Sequence, residues 1–146
     1  MDPSPRFRHG LIVGKFYPPH LGHCLLIEAA ARSCDRVTVA VLSPSRHSIS
    51  VSEKVAWLRQ TFAHEPHVTF VGGVDDVRID YGDPGIWDQH MAHFREAVGW
   101  ALARDGLSLA QAPLDAVFTS EDYGAELAQR FQAAHVCVDQ ARATVQ

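Results

Sequence analysis

The sequence predicts an α/β fold: a Rossmann-like five-stranded parallel sheet with helices on both faces. Three observations carry that expectation. Short apolar, β-branched runs alternate with amphipathic helical stretches along the chain, the order that parallel βαβ units require. The runs are continuous rather than alternating, as in strands buried on both faces. The first run ends at Gly14, and a helix restarts only after Pro18 and Pro19. A loop and a helix start therefore fall where open sheets of this kind bind ligands.

Leu11-Ile12-Val13 is the first strand, and Gly14 ends it where backbone must approach something closely. Prolines are tolerated only outside a helix or in its first turn, so the first helix begins near His20 and runs to Arg32. Val37 to Leu42 is the second strand, followed by a polar loop, Ser43 to Ser50, that holds Arg46 and His47. Ser50-Val51-Ser52-Glu53 is a capping box. Val51, Val55, Leu58 and Phe62 then give an amphipathic helix whose apolar stripe packs on the sheet. Val68 to Val71 is the third strand, ended by Gly72-Gly73. Val74 to Gly85 is acidic and irregular, with Asp75, Asp76, Asp80 and Asp83; it reads either as a substrate loop or as a solvated acidic loop. Asp83-Pro84 caps and opens a helix carrying Trp87, Met91, Phe94, Val98 and Ala101, which Gly106 closes near Arg104. Ala116 to Thr119 is the fourth strand, Ser120 caps a helix reaching about Phe131, and His135 to Val138 is the fifth strand.

A length of 146 residues with 47% hydrophobic and 21% charged residues fits one globular domain spanning residues 1–146. The net charge of −4 offers no basic field for nucleic acid, and no Lys/Arg run suggests a membrane surface. Cys24, Cys34 and Cys137 lack C-x-x-C spacing and are odd in number, which fits a reducing compartment. The segment from Met1 to Arg8 is polar, and the apolar run after it is too short for a signal peptide or a span, so a cytoplasmic location is expected. No internal repeat or linker stands out.

Around Gly14 the residue types converge on anion chemistry. A helix N-terminus presents unpaired N–H groups and the positive end of its dipole. His20 and His23 lie on one face of its first turn, beside Lys15 at the strand exit, so three potential cations meet at one point. The alternative is a strand-to-helix corner whose histidines merely cap and pack. No G-x-G-x-x-G follows the strand and no P-loop pattern occurs, so histidines, lysine and the helix end would have to grip a phosphate.

The string Gly14-Lys15-Phe16-Tyr17-Pro18-Pro19-His20-Leu21-Gly22-His23 resembles the H-x-G-H signature of the nucleotidylyltransferase superfamily. Its fuller form resembles the nicotinamide-mononucleotide adenylyltransferase branch, specifically the adenylyltransferase half of bifunctional adenylyltransferase/ribosylnicotinamide kinase proteins. Later anchors of the likeness are Trp87-Asp88, Phe118-Thr119-Ser120-Glu121 and Val138-Asp139. The resemblance implies transfer of AMP from ATP to nicotinamide mononucleotide, giving NAD and pyrophosphate, with Mg²⁺ accompanying ATP. It implies His20, His23 and Lys15 as catalytic residues, and Gly14, Lys15, Phe16, His20, Gly22, His23 and Ser120 around ATP. It further implies Trp87, Asp80 and Tyr17 around the acceptor. The expected partners are thus ATP and a pyridine mononucleotide, and self-association into a homo-oligomer stays open.

Trp87 would stack on the nicotinamide ring, yet it shares a stripe with Met91 and Phe94 and reads equally as core. Ser120 reads as a ligand to phosphate or as an ordinary N-cap. Glu121 or Asp122 would accept from ribose or adenine, or simply favour a helix dipole. Relatives tend to carry arginine near Lys54; otherwise Lys54 and Arg59 read as a solvated face. His64/His67 and His90/His93, with His20/His23, raise a zinc reading, which lacks any H-E-x-x-H or C-x-x-C pattern. Relatives continue past the equivalents of Asp139 and Arg142 into an S-x-T-x-x-R element that grips the β- and γ-phosphates. The sequence ends at Gln146 without it, so the triphosphate grip is expected to be incomplete. Other acceptors, such as phosphopantetheine or an alcohol phosphate in a cytidylyl transfer, and a silent nucleotide sensor are the competing readings.

Overall fold

β1 (Phe7–Gly14) lies at the centre of a five-stranded sheet of order β3-β2-β1-β4-β5. β2 is Cys34–Ser43, β3 Val68–Val74, β4 Ala116–Thr119 and β5 Ala134–Cys137. Every pairing is parallel. The computed structural model describes residues 7–121 and 123–138, so Asp122, Asp139 and Arg142 lie outside the described residues.

The side-chain alternation of these strands builds two cores. Ile12, Val37, Val39, Val41, Phe70 and Phe118 face one side, where they meet Leu26, Ile27 and Ala30 of α1 (Leu21–Ser33) and Val55 and Leu58 of α2 (Val51–Thr61). Leu11, Ala40, Leu42 and Val117 face the other. There they meet Trp87, Met91, Phe94 and Val98 of α3 (Pro84–Ala103) and Leu127 and Ala128 of α4 (Gly124–Arg130). Helices therefore cover both faces, the arrangement that continuous apolar strands require.

The helix starts follow their sequence signals. The Ser50 hydroxyl accepts from the Glu53 N–H at 3.1 Å. The Asp83 carboxylate takes the N–H groups of Gly85 and Ile86, with Pro84 in the first turn. α3 is capped at Arg104, as expected.

Two expectations are corrected. β3 does not end at Gly72-Gly73 but passes through both to Val74, pairing with Val41, Leu42 and Ser43. Gly72 is there for close approach rather than for chain reversal: a Cβ on it would collide with Val51 Cγ1 and lie 2.9 Å from Val55 Cγ2. Its absence lets α2 sit down on the sheet. Ser120 does not cap α4. The Thr119 hydroxyl takes the Glu121 N–H at 2.8 Å, holding a local turn, and the helix starts only after Tyr123.

The strand order changes direction at β1. β2 and β3 lie to one side of it, β4 and β5 to the other, and the crevice above the carboxyl ends of β1 and β4 is the switch point where such sheets bind ligands.

Candidate active site

A cavity of about 510 Å³ occupies that crevice. The carboxyl end of every strand from β1 to β4 contributes to its wall: Ile12 to Gly14, Leu42, Asp75, Thr119 and Ser120. The loop after β1 turns sharply to reach α1. Phe16 sits at φ 51°, in the left-handed region, and the Tyr17–Pro18 peptide is cis. The Phe16 ring folds back over Gly14, where a Cβ would stand 2.9 Å from it. It also packs against His23 at 4.5 Å between ring centroids.

His20 is the N-cap of α1, and it builds a reciprocal cap with His23. His20 Nδ1 accepts from the Gly22 N–H at 3.0 Å, and His23 Nδ1 accepts from the His20 N–H at 3.1 Å. An imidazole nitrogen that accepts from a backbone N–H carries no proton, so the bond pattern assigns both neutral rings as Nε2–H tautomers. Each ring then keeps one donor on the edge opposite the helix backbone. The rings stack at 3.7 Å. Burial, with His20 alongside, lowers the His23 pKa to about 4. The expectation of three converging cations is thereby corrected: at neutral pH His23 is an uncharged N–H donor, because charging it would cost desolvation and break the cap.

Lys54, read from sequence as part of a solvated face, is buried at 1% exposure. Its ammonium donates to the Lys15 carbonyl at 2.9 Å and to His47 Nδ1 at 3.1 Å, and lies 4.8 Å over the Tyr17 ring. Burial lowers its pKa. Tyr17 in turn stacks on His47 at 3.9 Å and its hydroxyl meets Ser48 at 2.6 Å. The Ser43–Ser50 loop is thus latched to the loop after β1, along one rim of the cavity that both His47 and Tyr17 line.

Part of the lining is aromatic. Tyr81 packs between Trp87 (5.5 Å) and Tyr123 (5.3 Å), and Phe94 also lines the cavity. Trp87 is 3% exposed within the α3 core, as its core reading expects, with the Arg130 guanidinium 5.0 Å over its ring, and it is also among the residues that line the cavity. Its indole N–H donates to the Tyr81 carbonyl at 3.0 Å, tying the 75–83 segment to α3.

Gly14, Lys15, Phe16, Tyr17, His20, His23, Trp87 and Ser120 all line this cavity, joined by Arg46, His47 and Glu121. Gly22 and Asp80 are not among its lining residues. The Gly22 N–H is used by His20, and the Asp80 carboxylate takes Arg78 at 2.9 Å and the Gly82 N–H, which hold its pKa down. Arg59 is spent on the Phe70 carbonyl.

The other histidine pairs have protein partners, and His90 with Asp75 also lines the cavity. His67 Nε2 donates to the Ala31 carbonyl, and His90 contacts Asp75 at 2.6 Å. Among the described residues no group of three His, Cys, Asp or Glu side chains is gathered to hold a metal ion.

Lys54 and His90 are the residues whose placement the sequence reading missed, and both carried one signal. Lys54 falls inside the stripe Val51, Val55, Leu58, and His90 inside Trp87, Met91, Phe94. A polar residue at a core position of an amphipathic helix is buried and must find partners.

Residues 11–123 match the family model described as cytidylyltransferase-like. Two curated relatives are phosphopantetheine adenylyltransferases. That of Symbiobacterium thermophilum is 40% identical over 70 residues, covering 47% of this chain and 43% of the relative. That of Kocuria rhizophila is 38% identical over 78 residues, covering 52% and 50%. The chain thus spans half or less of the length of these relatives. Among solved structures, NadR protein in complex with NR superposes with a TM-score of 0.66 at 20% identity, over 97% of this chain and 39% of that one. A bifunctional NMN adenylyltransferase/ADP ribose pyrophosphatase from Francisella tularensis does so at 0.65 and 16% identity, over 90% and 38%. At such identities these structures establish the shared fold. With the family model covering most of the sequence, including the His20–His23 corner, the chain belongs to the cytidylyltransferase-like family of the nucleotidylyltransferase superfamily.

Proposed function

We propose that the protein is an adenylyltransferase that joins ATP to nicotinamide mononucleotide, forming NAD and releasing pyrophosphate. The observation that supports this acceptor is that Tyr81, Trp87 and Tyr123, in mutual ring contact, line the same cavity as His20 and His23. A flat cationic pyridinium gains from stacking on aromatic faces, whereas a flexible pantetheine arm gains little from them.

In the proposed reaction an oxygen of the acceptor 5′-phosphate attacks the α-phosphorus of ATP, and the bond from that phosphorus to the bridging oxygen of pyrophosphate breaks. The acceptor oxygen is already ionised, so no protein base or nucleophile is required. The chain's task is to bring two anions together and to stabilise charge on the non-bridging oxygens. The Nε2–H groups of His20 and His23 are preorganised donors for those oxygens, and Lys15 with the α1 N-terminus supplies positive potential. Ser120 faces the same space from β4. Mg²⁺ would come with ATP as part of the substrate and would offset charge on the pyrophosphate as it leaves.

The likeness to phosphopantetheine adenylyltransferases at 38–40% identity favours a second reading, with phosphopantetheine as acceptor and the same chemistry at phosphorus. The test is pyrophosphate release from Mg-ATP with nicotinamide mononucleotide, its nicotinate analogue, phosphopantetheine and glycerol phosphate in parallel. Release with a pyridine mononucleotide is the expected result; release only with phosphopantetheine establishes the second reading instead.

A further inference from the structure

The 75–83 segment connects β3 to α3 without regular structure, yet its conformation is pinned from α3 at defined atoms. His90 is 6% exposed and Asp75 is 7% exposed, so their contact is shielded from water. His90 Nδ1 meets Asp75 Oδ2 at 2.6 Å, and His90 Nε2 meets the Arg78 carbonyl at 3.0 Å. Both partners are acceptors, so two protons must be held, one in the Asp75 contact and one on Nε2. The other Asp75 oxygen takes the Val77 N–H at 2.9 Å. Four residues on, the Trp87 indole holds the Tyr81 carbonyl. The charged and titratable groups around His90 are Asp75, His93, whose Nε2 lies 3.9 Å from Asp75 Oδ1, and Arg78, whose guanidinium pairs with Asp80 and Asp83. Phe94 stacks on its ring from the same helix.

Between these fixed points lie Val77, Arg78, Ile79 and Tyr81, which line the cavity beside Trp87. We propose that His90 is a positioning residue for the acceptor half of the site: by bonding through both ring nitrogens to the 75–83 segment, it sets the wall against which the acceptor's base lies. The segment is also tied to the Ser43–Ser50 loop, where the Ser45 N–H donates to the Asp76 carboxylate at 2.7 Å, but His90 takes no part in that tie, so its loss falls first on acceptor binding. This inference rests on the adenylyltransferase reading for the identity of the acceptor, but not for the clamp itself.

Asparagine places an amide nitrogen near the Nδ1 position and glutamine near Nε2, so His90→Asn retains the donor to Asp75 and His90→Gln the donor to Arg78. His90→Phe retains neither while keeping the ring. The expected result is an acceptor KM raised roughly tenfold or more in His90→Phe, as for loss of charge-assisted bonds, with the ATP KM within about twofold. His90→Asn and His90→Gln should fall between. Amide hydrogen exchange on the full chain should quicken at residues 77–81 in His90→Phe and stay at wild-type rates in α1. An unchanged acceptor KM, an equal rise in both KM values, or unchanged exchange at 77–81 overturns the proposal. Wild-type silence with every acceptor would defeat the adenylyltransferase reading alone. The exchange rates of the same variants still decide whether the clamp exists.

Discussion

His20 and His23 stack face to face with ring centroids 3.7 Å apart, and each spends its Nδ1 on the backbone of the helix turn that carries it. The turn thus positions the rings, and the rings cap the turn. One substitution should therefore show in both stability and turnover. His23→Ala should lower the rate of pyrophosphate release by roughly a hundredfold or more, as loss of one transition-state donor does. It should cost about 1 kcal/mol of stability through the lost cap. His23→Gln, which keeps an amide donor near Nε2, should retain more activity than His23→Ala. Steady-state rates with denaturant titrations of the same preparations check both.

The neutral state of His23 has a consequence for acid stability. Its folded pKa of about 4 lies below the ordinary histidine value of 6.5. Between those values the unfolded chain binds the proton and the folded chain does not. Stability from this group is therefore complete above about pH 6.5 and falls as pH drops toward about 4. An NMR titration should place the His23 midpoint in the acidic range, and melting temperatures should decline through the same window. In His23→Gln that part of the decline should disappear.

Lys54 joins the loops on one rim of the cavity. Lys54→Met keeps the length and the apolar packing of the side chain but removes the donors to the Lys15 carbonyl and to His47. The expected outcome is faster amide exchange across the Ser43–Ser50 loop and a KM for ATP raised about tenfold, the scale of one lost charged bond. Lys54→Arg should recover part of the loss. Kinetics and exchange on the three proteins check the ordering.

Much of this layout was legible in the sequence. Alternating apolar runs and helical stripes gave the sheet and its helices, and capping residues placed α2 and α3 because a cap is a local interaction. The start of α4 was misplaced because Thr119, one residue earlier, takes the Glu121 N–H in a local turn and the helix starts only after Tyr123. β3 ran past its glycines because the role of Gly72 is set by α2, a partner 21 residues away at Val51, and no local pattern encodes that contact. At the site, Lys15, His20 and His23 were visible from a strand exit followed by a helix start. The buried pairs Lys54–His47 and His90–Asp75 depend on tertiary neighbours, and only the interruption of an apolar stripe hinted at them.

Gly72 tests the close approach of α2 to the sheet. Gly72→Val should destabilise the fold by about 1–3 kcal/mol, because the new side chain must displace Val51 and Val55. Gly73→Ala meets the end of Leu42 at 2.9 Å, a flexible side-chain tip, and should cost less. Chemical denaturation of the two variants gives the comparison.

Trp87 is both core and cavity wall, so a conservative change is needed to separate its roles. Trp87→Phe keeps an aromatic ring but loses the indole donor to the Tyr81 carbonyl. It should fold cooperatively, with a stability loss below about 3 kcal/mol, the lower bound for full truncation to alanine. Its acceptor KM should rise while the ATP KM is preserved. Calorimetry and a two-substrate kinetic matrix distinguish this from a purely structural role, in which both constants would stay at wild-type values.

The central claim is that this cavity transfers an adenylyl group to a pyridine mononucleotide. The most direct measurement follows a ³²P label at the α-phosphate of ATP during incubation with Mg²⁺ and nicotinamide mononucleotide. The account predicts that the label enters a dinucleotide in step with pyrophosphate release, and that His23→Ala suppresses both together. Label remaining in ATP, or appearing only as AMP, would contradict it.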